Sequence, residues 1–227
     1  MKWRENAVLK TGQEVLGFLN DHAAEVGPVN KSVERRVLEA AVAALDAAAA
    51  AQNAEKTAMT SLTKEKNARR QDLLGDHMRP VVAIAGKLTK TGTSLTPDIQ
   101  TMRMPKRRTS DLGLRLKALG MAKAVVKYTD QYVAQQMPPD FAKQARRAVN
   151  DLNSMLNARD LSVMNHVRAT GAAAQQTSIV REAIKVLNGL VDSRLRRIGR
   201  LDLVEAWKVV KRYPQKPGVK RRRKKEE

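Results

Sequence analysis

Apolar side chains return every three or four positions along most of this chain, the period of a helix buried on one face. Over residues 2–24 the stripe is Val8, Val15, Leu16, Phe18 and Leu19, with charged residues between. Gly27 and Pro28 stop it: glycine suits a helix C-terminus and proline cannot continue the ladder. Asn30 or Ser32 can cap the next helix. From 31 to about 90 no firm stop signal interrupts. Val33, Val37, Ala41, Leu45 and Ala48 mark the early face, and Leu73, His77, Val81, Ile84 and Leu88 the late one. Between them, QNAEKTAMTSLTKEKNARRQ forms helix readily but is poor in large apolar groups. Propensity favours a continuous helix, about 90 Å long at 1.5 Å per residue, over a hinge near 52–56. Pro80 is expected to kink it, because proline removes the bond to residue 76.

Residues 89–111 break the pattern with Gly92, Pro97, Pro105 and several threonines. A loop of this length in a compact domain is functional or poorly ordered. It carries Lys106, Arg107 and Arg108, with Arg103 upstream. Ser110 or Asp111 then caps a helix to about 136, with Leu112, Leu116, Leu119, Ala122, Val126 and Val133 expected on its buried face. MPPD closes it and opens a helical stretch over 140–197. Phe141, Ala145, Val149, Leu152 and Leu156 give the early face, and Val180, Ile184, Leu187, Val191 and Leu195 the late one, with Gly171 a candidate hinge. A short helix over 202–211 carries Leu203, Trp207 and Val210, and Trp207 is expected to anchor it. No alternating strand pattern is present.

The expected fold is therefore all-α: a bundle of long amphipathic helices over 1–213, with an irregular basic loop near 91–109. A disordered basic tail over 214–227 follows, too polar to bury anything. Few aromatic residues are available, so Ala, Leu and Val must build the core, and the methionines fill gaps in it.

Charge adds a second asymmetry. The chain of 227 residues has a formal net charge of +20, of which +18 falls in residues 101–227. A polyanionic partner for the C-terminal half is one reading, and a merely soluble surface is the other. Nine cations crowd into residues 211–225: Lys211, Arg212, Lys216, Lys220, Arg221, Arg222, Arg223, Lys224 and Lys225. Such a segment can neutralise several phosphates at once, without sequence preference and with steep salt dependence. No apolar face accompanies it for insertion into a bilayer. An acidic protein remains an alternative partner, and in a eukaryote the same run could serve nuclear import.

Catalytic chemistry is poorly provided for. The absence of cysteine excludes disulfides, thiol nucleophiles and cysteine-ligated zinc. His22, His77 and His166 are the only histidines, and none has metal spacing with another. Asp72 and Asp76, four apart beside His77, come nearest to a metal or acid–base group. The preferred reading is a solvated pair flanked by Arg69 and Arg79, with His77 a satisfied histidine on the apolar stripe. Lys143, Arg146, Arg147 and Asn150 share one helix face, read as a wet surface or an anion-binding stripe. Gly-rich phosphate loops and serine-nucleophile motifs are missing. The N-terminus lacks the apolar stretch of a signal peptide, and no run reaches the ~18 apolar residues of a membrane span. A cytoplasmic protein is expected.

Four segments, DHMRPVVAIA (76–85), MPKRR-T-SD (104–111), PPDF (138–141) and EAW-K--KR (205–212), give the chain a layout that resembles a group of uncharacterised bacterial all-helical proteins. The resemblance implies a helical fold and no activity, and the basic run after Tyr213 lies outside it. Taken together, the sequence points to a non-catalytic helical binding or architectural protein without cofactor or metal. Nucleic acid is its expected partner, through Lys106–Arg108 and the tail cations. A protein–protein interaction module with an incidental tail is the alternative.

Overall fold

Ser32 and Ser110 each open a helix as their side chains allow. The Ser32 hydroxyl accepts from the Arg35 N–H at 3.2 Å, and the Ser110 hydroxyl from the Gly113 N–H at 3.1 Å. The computed structural model describes residues 3–92, 98 and 101–214. Its helices are α1 (Trp3–Asp21), α2 (Ala23–Val26), α3 (Val33–Asp72), α4 (Arg79–Lys90), α5 (Asp111–Lys127), α6 (Thr129–Val133), α7 (Phe141–Arg197) and α8 (Leu201–Val210). No strand occurs among the described residues, and the protein is all-α. The expected tail over 214–227 lies outside them apart from Pro214.

Both long helices are continuous. α3 passes through 52–56 and α7 through Gly171 without a break. Pro80 acts differently from a simple kink. Just before α4 the chain widens into a π-helical turn over Leu73–Met78, and the Arg79 N–H reaches back five residues to the Leu74 carbonyl. The widened turn accommodates a helix that loses its bond at the proline.

The chain divides into two compact units, residues 1–56 with 164–227 and residues 57–163. In the first, Val15, Phe18 and Leu19 of α1 pack with Leu38 and Leu45 of α3, Val180, Leu187 and Val191 of α7, and Trp207 of α8. In the second, Leu73, Val81 and Leu88 pack with Leu114, Met121 and Val125 of α5, Tyr132 of α6, and Phe141 and Leu152 of α7. The middle of α3 is poor in large apolar groups, with only Met59 and Leu62 between Gln52 and Gln71, and neither belongs to either buried cluster. In the second unit the Tyr132 hydroxyl donates to the Val81 carbonyl at 3.2 Å and contacts Met102 Sδ at the same distance, tying the irregular loop to α4. Burial, with a smaller contribution from Tyr128, pushes the Tyr132 phenol up to about 12.

Two expected faces are corrected. On α5, Leu112 and Leu116 are 60% and 62% exposed, and Val126 and Val133 are exposed too. Ala122 is buried as expected, and the rest of the buried side is Leu114, Ala118, Met121, Ala124 and Val125. Apolar residues lie on several sides of α5, between Arg115, Lys117, Lys123 and Lys127, so its largest side chains did not identify the core-facing side. The segment expected to run to 136 also breaks at Tyr128, between α5 and α6. On α3, Val33 and Val37 are exposed and the buried stripe begins at Leu38.

Gly12 lies at a close approach of α1 to α3 and α7 in the first unit. A Cβ there would lie 2.6 Å from Val42 Cγ2 and 3.3 Å from Val180 Cγ1. Valine is stiff at χ1 and cannot swing away. Gly12→Ala gains about 1 kcal/mol of helix propensity but overpacks α1 against α3 and α7, at a cost of about 1–3 kcal/mol. The expected result is a lower melting midpoint by circular dichroism. A raised midpoint would show that the helices separate freely.

Candidate nucleic-acid interface

α7 and α8 lie side by side at the C-terminal end of the described chain. Val180, Ile184 and Leu187 point α7 into the core, which turns Arg181, Lys185 and Asn188 to one outer flank. Leu203 and Trp207 do the same for α8, turning Lys208, Lys211 and Arg212 towards that flank. The result is a cleft of about 330 Å³ in the first unit, with Tyr213 on its wall. Its five cations are not equally free. Lys185 pairs with Glu182 at 3.4 Å and Lys208 with Glu205 at 2.6 Å, both on exposed helix surface. Arg181 stands over the Tyr213 ring, 5.7 Å from its centroid. Lys211 donates to Asn188 Oδ1, which also accepts from Trp207 Nε1.

Neighbouring carboxylates feel this field. The Arg196 hydrogen bond holds the Asp192 carboxyl below its ordinary range, and Lys211 and Lys208 act in the same direction. Lys208 foremost, then Arg196 and Arg212, lower Glu205. Tyr213 moves the other way, its phenol raised by burial against the opposing charge of Arg181. Lys208 and Lys211 of the cleft thus favour the ionised form of carboxylates beside it, and Tyr213 gives the cleft one aromatic face.

A second basic cleft, about 430 Å³, lies wholly in the second unit. Arg70 and Gln71 from the end of α3, Arg79 from the start of α4, and Lys106 and Arg107 from the irregular loop line it. The loop is held there by a short network. Arg70 Nη1 donates to Asp111 Oδ1 at 2.5 Å and its Nη2 to the Thr109 carbonyl at 2.6 Å, while Lys66 reaches the other Asp111 oxygen at 3.2 Å. The Thr109 N–H and hydroxyl both donate to the Lys106 carbonyl, at 3.0 and 2.7 Å. Burial alone would raise the Asp111 carboxyl. The hydrogen bonds from Lys66 and Arg70 outweigh it and leave Asp111 below its ordinary value.

The residues expected from sequence thus fall in three places. Lys211 and Arg212 line the first cleft and Lys106 and Arg107 the second, with Arg108 exposed on the same turn as the latter pair. Lys216, Lys220, Arg221, Arg222, Arg223, Lys224 and Lys225 lie outside the described residues. Arg181, Lys185 and Lys208 were missed. Their signal was legible: cations at 181 and 185 follow the same spacing as the apolar residues at 180, 184 and 187, one position on.

Asp72, Asp76 and His77 do come together, around a cavity of about 330 Å³ that Arg69, Arg147 and Asp151 also line. His77 is half-buried rather than satisfied. Its ring lies 5.8 Å from Phe141, and its buried Nδ1 has no hydrogen-bond partner among the described residues. Guanidinium groups interleave the carboxylates, and no group of three or more acidic or histidine side chains suited to a metal ion occurs among the described residues. No helix among them is long and apolar enough to cross a membrane. Comparison with known proteins adds no assignment: no family model, curated protein or solved structure matches the chain.

Proposed function

We propose that this is a non-catalytic, sequence-independent nucleic-acid-binding protein. It would grip phosphates with the cleft between α7 and α8 together with the basic run that follows. One observation carries the reading: the chain leaves its last helix beside Arg181, Lys185, Lys208, Lys211 and Arg212, and continues directly into Lys216 and Lys220–Lys225. A folded cationic surface continuous with a cationic segment suits a long polyanion better than a small ligand. Binding would be driven by counterion release. Arg181 already covers one face of Tyr213, so at most one base could stack there and single strands should gain little.

A second reading is favoured by an apolar groove in the first unit, lined by Val33, Val37, Ile179, Ala183 and Val186 with Glu34 and Glu182 at its rim. A groove of that kind suits a protein partner, with the basic run incidental.

Fluorescence anisotropy with random-sequence duplex at several salt concentrations separates the two. The full chain should show a slope of log affinity against log salt near −4 to −5 if about five phosphates are neutralised. Removing 215–227 should abolish most of it, and Arg181→Gln with Lys185→Gln should reduce its magnitude by about 1–2. No binding at low salt, or a slope that neither change alters, sinks the nucleic-acid reading and favours the groove.

A further inference from the structure

The cleft of the second unit differs from the first in both shape and charge balance. Its cations converge from three separate segments rather than lining a helix flank. Arg70 is spoken for by Asp111 and Thr109, but Arg79, Lys106 and Arg107 have no carboxylate partner among the described residues. Like charges gathered around one space repel one another, and a bound anion relieves that repulsion. The loop is also set in advance. The doubled bond onto the Lys106 carbonyl, the Arg70 clamp and the Ser110 cap on α5 hold the turn without a ligand. A site assembled beforehand loses less freedom on binding.

We propose that Arg79, Lys106 and Arg107, with Gln71 as an amide donor and Arg70 as the fixed back wall, form a site for a compact oligophosphate. A diphosphate group carries roughly three negative charges at pH 7, matching three unpaired cations. Guanidinium groups suit it because their planar forks reach two oxygens at once. The same chemistry is offered by a free nucleoside polyphosphate and by the 5′-triphosphate end of an RNA. This site is separate from the α7–α8 cleft and does not depend on the nucleic-acid reading.

The probe is pyrophosphate with the full chain. Lysine acylation by an activated acetate ester, read residue by residue by mass spectrometry, reports Lys106 directly. Pyrophosphate should protect Lys106 saturably, and Arg79→Gln should weaken the protection about tenfold through the loss of a charge-assisted donor. Lys208→Gln, in the other cleft, should leave it unchanged. Arg79 is exposed, so its substitution should leave the helical circular dichroism intact. Arg107→Gln gives an independent check of the same loss. A nucleoside triphosphate and a 5′-triphosphate RNA compared at equal concentration identify the source: equal protection assigns the free nucleotide, and stronger protection by RNA assigns the end. Protection that Arg79→Gln and Arg107→Gln leave intact overturns the site. So does protection by 5′-hydroxyl oligonucleotide alone, or none at all.

Discussion

Trp207→Ala should lower the free energy of unfolding by about 3–5 kcal/mol, the range for emptying a buried tryptophan site. The side chain is fully buried, and its ring centroid lies 5.2 Å from that of Phe18 on α1. Leu203 and Val204 bury the same side of α8, so losing the indole removes the largest of three anchors of a ten-residue helix. The indole N–H also donates to Asn188 Oδ1 at 3.2 Å, joining α8 to α7. Trp207→Phe keeps most of the apolar contact and loses only that bond. Asn188 retains Lys211 as a donor, so the cost should be nearer 1 kcal/mol. Urea unfolding followed by far-ultraviolet circular dichroism measures both without relying on tryptophan emission. A near-neutral Trp207→Ala would mean that α8 is not held by its core face. The α7–α8 cleft would then lose its geometric basis.

Asp111→Ala should cost about 2–3 kcal/mol, somewhat less than breaking a fully buried ion pair. The Asp111, Lys66 and Arg70 side chains are only 24%, 19% and 20% exposed, so removing the carboxylate leaves two poorly solvated cations facing each other. Asp111 also lies in the first turn of α5, where negative charge is favourable. The pH dependence has a definite sign. Because the folded-state carboxyl titrates below its ordinary value of 3.8, its contribution is fully present above that value. It is lost as pH falls through the lower folded-state value. Wild type and Asp111→Asn should therefore differ most at neutral pH and converge in strong acid. Urea midpoints across that range provide the comparison, and a gap that persists in strong acid would assign the loss to packing instead of charge. Asp111→Ala should also loosen the loop, so protection of Lys106 by pyrophosphate should weaken with it.

The helical class and most core positions were legible in the sequence. Val180, Ile184, Leu187, Val191 and Leu195 read as a buried face and are one, as do Phe141, Val149 and Leu152, and Trp207 lies where its spacing put it. Periodicity works there because those helices have one apolar side and one polar side, leaving a single way to bury them. It failed on α5, where Leu112 and Leu116 face out and Leu114, Ala118 and Met121 face in. Large apolar residues on several sides of one helix offer several faces, and only the packed neighbours choose among them. Val33 and Val37 failed for a related reason: they follow the helical period, but they line an open groove with Ile179 and Val186 of α7, and the buried stripe of α3 begins at Leu38.

Charge divides in the same way. The excess of cations in residues 101–227 is a property of sequence alone, and so is the basic run after Tyr213. Which cations share a cleft is not, because Arg181 and Lys185 are joined to Lys208 and Lys211 only once α8 docks on α7. Arg79 likewise meets Lys106 and Arg107 only because Arg70 and Asp111 pin the loop beside the π-helical turn. Composition and period act within a segment, where spacing alone sets which side chains are neighbours. A binding surface made by several segments depends on contacts between residues far apart in the chain, and these exist only in the folded state.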